Sequence, residues 1–227
     1  MISVRASLQS LARFFRRSSD RFGEGLANRE TATGVTADGG HEPLVRRILS
    51  TIHNNSILLC GTAGSGKTSL LLHLKERLGA SNDSVTDSYP VYIDLHGVPE
   101  ERLFATVAEA VRQQLSPMPI LNAAKRTAGP SASYSHRDLA QDLRNVLRAL
   151  KTSGSGHARL VLLVDGIDEL NHYAPRTAQR VRSLFMASLD GNLSMVATAI
   201  EIDRQWEEEG SPWYNFFEEI EVRADDE

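Results

Sequence analysis

Gly61-Thr62-Ala63-Gly64-Ser65-Gly66-Lys67-Thr68 fit the spacing Gly-x-x-x-x-Gly-Lys-Ser/Thr, the Walker A form of a phosphate-binding loop. The flanks strengthen the match. Ser56-Ile57-Leu58-Leu59-Cys60 is a short apolar run that reads as a buried strand, and Leu70, Leu71, Leu74 and Leu78 recur at helical spacing behind the loop. Strand, glycine-rich loop and helix therefore arrive in the order a phosphate cradle needs. Glycines at 61, 64 and 66 let the backbone curl so that several N–H groups point inward, and the helix start adds free N–H groups and its positive dipole end. In that frame Lys67 reaches the β- and γ-phosphates and stabilises charge during transfer, and the Thr68 hydroxyl ligates Mg²⁺. Ser69, the next residue, completes the expected contact set of 61–69.

The rest of the chain reads as strands alternating with helices. A helix starts near His41 with Pro43 in its first turn and carries Leu44, Val45, Ile48, Leu49 and Ile52. After a polar turn over Gly79 to Ser88, Val91-Tyr92-Ile93-Asp94-Leu95 is the second strand, and Pro99 opens a helix bearing Leu103, Phe104, Val107, Val111 and Leu115. Residues 116–134, with three prolines, read as a long excursion. Ser135 and Asp138 resemble a helix-start cap, followed by Leu139, Leu143, Val146, Leu147 and Leu150. Leu160 to Val164 is uniformly apolar, as a strand covered on both faces should be. A helix from near Pro175, a strand over Leu193 to Ile200 and a short strand at Ile220-Glu221-Val222 complete the pattern. Such alternation predicts an α/β fold, with a mostly parallel sheet between two helical layers.

Asp165 closes the third strand at the edge where ligands of open α/β sheets bind, as a Walker B carboxylate does. Asp168 and Glu169 follow, so three acids fall within five positions; repulsion among them favours a cation, and Mg²⁺ is the expected one. Either Asp168 or Glu169 could orient an attacking water, and the sequence does not choose between them. A lone Asp after an apolar strand can also be a simple turn or cap residue.

Composition narrows the class. The chain has 227 residues, long enough for one large domain, and a formal net charge of -4, which does not by itself suggest nucleic acid. Its single cysteine, Cys60, rules out an internal disulfide or a Cys-rich zinc site and reads as a small apolar residue of the first strand. No apolar run approaches membrane-spanning length, so a cytoplasmic, intracellular protein is the default expectation. Arg5, Arg13, Arg16, Arg17 and Arg21 make the start basic. Residues 1–40 thus form a basic segment and loop with three open readings: a docking helix, a mitochondrial presequence, or an arm for membrane or nucleic acid. Arginines cluster there, and the core is not read as basic.

With these residues in place, Val161-Leu162-Leu163-Val164-Asp165-Gly166-Ile167-Asp168-Glu169-Leu170 resembles the Walker B signature of STAND ATPases, especially their NACHT branch, relatives of the AAA+ and origin-recognition-like ATPases. The resemblance covers about 41–223. It implies a three-layer αβα P-loop NTPase with a five-stranded sheet in the order 5-1-4-3-2, ATP with Mg²⁺ as cofactors, and an ATP-binding, ATP-hydrolysing switch that controls assembly or signalling, with self-association through the ATPase domain. It also implies that Thr198, by position, senses the γ-phosphate, with Arg204 as the nearest candidate for the basic residue STAND proteins often carry there. The family continues into a helical lid where this sequence stops, so the core 41–227 is expected to lack a lid. The rival reading is a nucleic-acid-acting AAA+ ATPase, an initiator or transposition-type loader. A GTPase is disfavoured because no Asn-Lys-x-Asp occurs. Trp206, Trp213, Tyr214, Phe216 and Phe217 form an aromatic group read either as packing under a loop or as a partner surface.

Overall fold

A computed structural model describes residues 42–53, 56–80, 87–115, 134–153, 157–187, 191–201, 206 and 208–223. The basic segment 1–40, most of the 116–134 excursion and Arg204 lie outside the described residues.

Five strands form one sheet: β1 (Ser56–Cys60), β2 (Asp87–Asp94), β3 (Ala158–Asp165), β4 (Leu193–Ala199) and β5 (Phe217–Glu221). They lie in the order β2-β3-β4-β1-β5, with every neighbouring pair parallel. Read from the other edge this is 5-1-4-3-2, the order expected. Two helices cover one face: α1 (Glu42–Thr51) and α2 (Lys67–Ala80). Three cover the other: α3 (Leu103–Leu115), α4 (His136–Ser153) and α5 (Pro175–Ala187).

The strand pleat assigns the two cores. In β3, Val161 and Leu163 join Leu70, Leu71 and Leu74 of α2, whereas Leu160, Leu162 and Val164 join Leu103 of α3 and Leu139 and Leu143 of α4. That parity carries on to Asp165, which leaves the sheet on the α1–α2 side.

Two boundaries differ from expectation. The stretch read as a polar turn over Gly79 to Ser88 is shorter, because α2 runs on to Ala80 and β2 begins at Asp87. Pro90 concealed the early start. It is tolerated because β2 is an edge strand, and the neighbouring pleat position, Tyr92, bonds outward to the Gln114 amide through both N–H and C=O (3.0 and 2.6 Å). Pro90 has the same parity, so its missing N–H takes no bond from the ladder. The fifth strand likewise starts earlier, at Phe217.

The α4 cap forms as read: Asp138 accepts from the Ser135 N–H (2.8 Å) and hydroxyl (2.6 Å). The aromatic group is mostly packing. Trp206 and Trp213 are buried with ring centroids 5.0 Å apart, and Trp213 lies 5.5 Å from Phe217; only Tyr214 of the five is exposed. Among the described residues no helix is long and apolar enough to cross a membrane.

Candidate functional site

The loop between β1 and α2 sits at the C-terminal edge of the sheet. Its start is fixed by sterics: a Cβ on Gly61 would lie 2.2 Å from the Val222 carbonyl oxygen and 2.8 Å from Ser65 Oγ. The strand exit is stitched there too, since the Val222 N–H donates to the Cys60 carbonyl at 2.7 Å. Gly64 (φ 82) and Gly66 (φ 88) take the left-handed backbone that turns the loop. Thr62, Ala63 and Gly64 form the exposed rim, Ser65 is buried, and Thr68 and Ser69 are exposed at the start of α2.

Lys67 is buried, and its ammonium folds back beneath the loop. It donates to the carbonyls of Gly61 (2.6 Å) and Thr62 (2.7 Å) and lies 3.3 Å from Ser65 Oγ. The loop's own carbonyls thus hold the cation. Cys60, just before the loop, is half-buried, and burial pushes its thiol pKa up to about 11, so it is neutral at physiological pH.

Across from the loop stands Asp165, buried at the end of β3. Three hydroxyls converge on it. Thr68 donates to Oδ2 at 2.8 Å, Tyr92 donates to the same oxygen at 2.9 Å, and Thr198 donates to Oδ1. Thr198, in β4, also accepts the Gly166 N–H at 3.0 Å, so its single proton is committed to Asp165. Burial and the Asp165 charge together push the Tyr92 phenol pKa well up, keeping it a donor.

The three acids that cluster in sequence do not converge in space. Gly166 (φ 73) turns the chain sharply into the short 3₁₀ segment Ile167–His172. Beyond it, Asp168 accepts the Ile200 N–H at the exit of β4 (3.2 Å), and Glu169 accepts the Gly97 N–H beyond β2 (2.9 Å). Their mutual repulsion is therefore eased by separate N–H donors, and the cation expected from the cluster would face Asp165 alone of the three. Among the described residues no group of three His, Cys, Asp or Glu could hold a metal ion. One carboxylate facing one hydroxyl is a donor set that suits a Mg²⁺ keeping several waters and substrate oxygens, but not a protein-built cage.

Tyr92 and His96 were not singled out from the sequence. Tyr92 was findable, since strand parity puts it on the Asp165 face of the adjoining strand. His96 was not, because it follows the strand. Its ring packs where a Gly166 Cβ would meet it at 2.8 Å, and its Nδ1 lies 2.7 Å from Asp94 Oδ1, a bond that raises the imidazole pKa against the lowering effect of burial.

This arrangement invites comparison with known proteins. No curated protein matches the chain. Among solved structures it is similar to the ORC1 protein of Aeropyrum pernix in complex with DNA (19% identity, TM-score 0.57, covering 80% of this chain and 44% of that one). It is also similar to a Walker-type ATPase of Pyrococcus abyssi (19%, 0.53, 81% and 53%) and to Cdc6p of Pyrobaculum aerophilum (14%, 0.51, 85% and 48%). At these identities the likeness is one of fold, and the chain spans about half the length of each. Residues 42–196, more than half of the chain, match the family model described as the AAA ATPase domain, and the protein belongs to that family.

Proposed function

We propose that this chain binds ATP with Mg²⁺ in the 61–69 loop and hydrolyses it slowly to switch an assembly. The observation that carries the reading is the pairing of a lysine-backed glycine loop with a buried carboxylate 2.8 Å from the Thr68 hydroxyl. Loop N–H groups and Lys67 receive the phosphates, and Thr68 and Asp165 hold Mg²⁺, directly or through water. The metal's chemistry is charge neutralisation across the phosphate oxygens. Thr68 turns its oxygen lone pair to the cation, while Tyr92 and Thr198 keep Asp165 aimed. Thr198 is thus read as a positioning residue, with its proton on Asp165, in place of a direct γ-phosphate contact.

Of the two remaining acids, Asp168 is the better placed to orient water. It sits at the exit of β4, beside β1, and is close enough to raise the Cys60 pKa at the base of the loop. Glu169 reaches away to Gly97 and ties the turn to β2. Calorimetric titration tests the reading. ATP should bind more tightly with Mg²⁺ than without it, and Lys67→Ala should lose most of that affinity; equal binding by the variant would overturn the reading.

A second reading concerns what the switch serves. The STAND resemblance rests on residues 161–170 and suggests signalling. The fold likeness to ORC1 and Cdc6p favours a nucleic-acid-associated assembly, and we propose that alternative over signalling.

A further inference from the structure

The helices differ in how their cations are neutralised. On the α1–α2 layer, Arg46 and Arg77 both pair with Glu42 (3.1 and 2.9 Å), and Arg47 pairs with Glu218 (3.0 Å). At α3, Arg112 on the helix and Arg102 in the 3₁₀ turn just before it share Glu109 (both 3.8 Å). Helices α4 and α5 are different. They carry Arg137, Arg144, Arg148, Lys151, Arg176, Arg180 and Arg182 against two acids, Asp138 and Asp142; of these, Arg182 is turned to the carbonyls of Pro212 and Tyr214. Asp138 accepts from Ser135 and Asp142 from the Tyr134 hydroxyl (2.6 Å), and both keep their charge. Glu100, its pKa lowered chiefly by the Thr177 hydroxyl, stands close enough to Arg176 and Arg180 for their charges to help, yet the cations still outnumber the acids. Among the described residues no ion pair ties Arg137, Arg148, Lys151, Arg176 or Arg180 to a carboxylate. The core as a whole is not basic, as the sequence suggested, but this face of it is.

The cations are also aligned. Positions 137, 144, 148 and 151 fall within one arc of α4 that flanks the core stripe of Leu139, Leu143 and Leu147, with Arg137 and Arg148 exposed and Arg144 and Lys151 half-buried, and span about 21 Å along the helix. Arg176 and Arg180 occupy one exposed side of α5. The two rows meet near the start of α4, where Arg180 and Arg137 both add to the effect of burial in lowering the His136 pKa.

We infer that this α4–α5 face binds the phosphate backbone of duplex nucleic acid without reading sequence. A row of about 21 Å matches about six base pairs, along which a duplex presents one negative charge per ~1.7 Å. Among the described residues no exposed aromatic stands among these cations, and single strands need such stacking platforms, so the face suits a duplex. The inference rests on the nucleic-acid half of the proposed function and adds its surface.

The test is fluorescence anisotropy of a labelled duplex of about 20 base pairs and arbitrary sequence, titrated with the full chain at about 50 mM salt and above. Wild type should bind, with log affinity falling linearly against log salt. The triple charge reversal Arg137→Glu/Arg148→Glu/Arg180→Glu should lose tenfold or more and flatten the slope by about 3, one per lost phosphate contact. The matching triple lysine variant should retain binding, since a point charge suffices. Unaltered circular dichroism and Mg-ATP affinity in the reversal variant would show that its fold is intact. If the reversal binds like wild type while Arg13→Gln/Arg16→Gln/Arg17→Gln abolishes binding, the surface is wrong and the nucleic-acid reading survives. No wild-type binding overturns both. Tighter binding to single strands, or to anionic vesicles in place of duplex, overturns the assignment of a duplex face.

Discussion

The two banks of the site are built by different means. The 61–68 loop is backbone architecture: glycines at 64 and 66 take left-handed angles, Gly61 is packed against Val222, and loop carbonyls hold the one charged side chain. The Asp165 turn is side-chain architecture: three hydroxyls fix one carboxylate, and two further acids are pinned to opposite neighbouring strands. A backbone cradle tolerates few substitutions, because one Cβ meets atoms that cannot move. A hydroxyl network degrades in steps, one bond at a time.

That contrast predicts a ranking. Lys67→Ala should have the largest effect, weakening Mg-ATP binding by roughly a hundredfold, equivalent to about 2.7 kcal/mol, as read by calorimetry. Gly61→Ala should follow, and unlike Lys67→Ala it should damage the fold as well. Its Cβ must displace the Val222 carbonyl, so chemical denaturation should show a loss of about 1–3 kcal/mol. A variant as stable as wild type would mean the β5 exit is not packed on the loop. On the opposite bank, Asp165→Asn should leave Mg-free ATP binding unchanged and remove the Mg²⁺-dependent gain, roughly tenfold.

The next comparison separates the two outer acids. Asp168→Asn should reduce turnover tenfold or more with binding intact, whereas Glu169→Gln should change it by less than about threefold. The reverse order would exchange their roles. Tyr92→Phe should be mildest, raising the Mg²⁺ concentration for half-maximal turnover by a factor of about 3, because Thr198 and Thr68 still hold Asp165.

Much of this was legible in the sequence, and the gaps have physical causes. The loop is written in local residues, so 61–68 announced itself, and the strand–helix alternation foretold the parallel sheet. Asp165 followed from its place after a uniformly apolar strand. What sequence could not assign was direction. Asp168 and Glu169 are adjacent in the chain, and only the β3–β4 and β2–β3 neighbourhoods send them to Ile200 and Gly97. Tyr92 could be read from strand parity, but the partner it serves lies 73 positions away, so its role emerged only with the fold. The basic face went unread because net charge was taken over the whole core, while the helical arc of 137, 144, 148 and 151 becomes a surface only once α4 is oriented by its packing.

The most direct test of the central claim is steady-state ATP turnover, with and without Mg²⁺ and over a range of protein concentrations, using Lys67→Ala as the blank. Slow, Mg²⁺-dependent hydrolysis above that blank is expected, with a rise in turnover per molecule with concentration if subunits complete each other's sites. Turnover indistinguishable from the blank at every Mg²⁺ and protein concentration would contradict that claim.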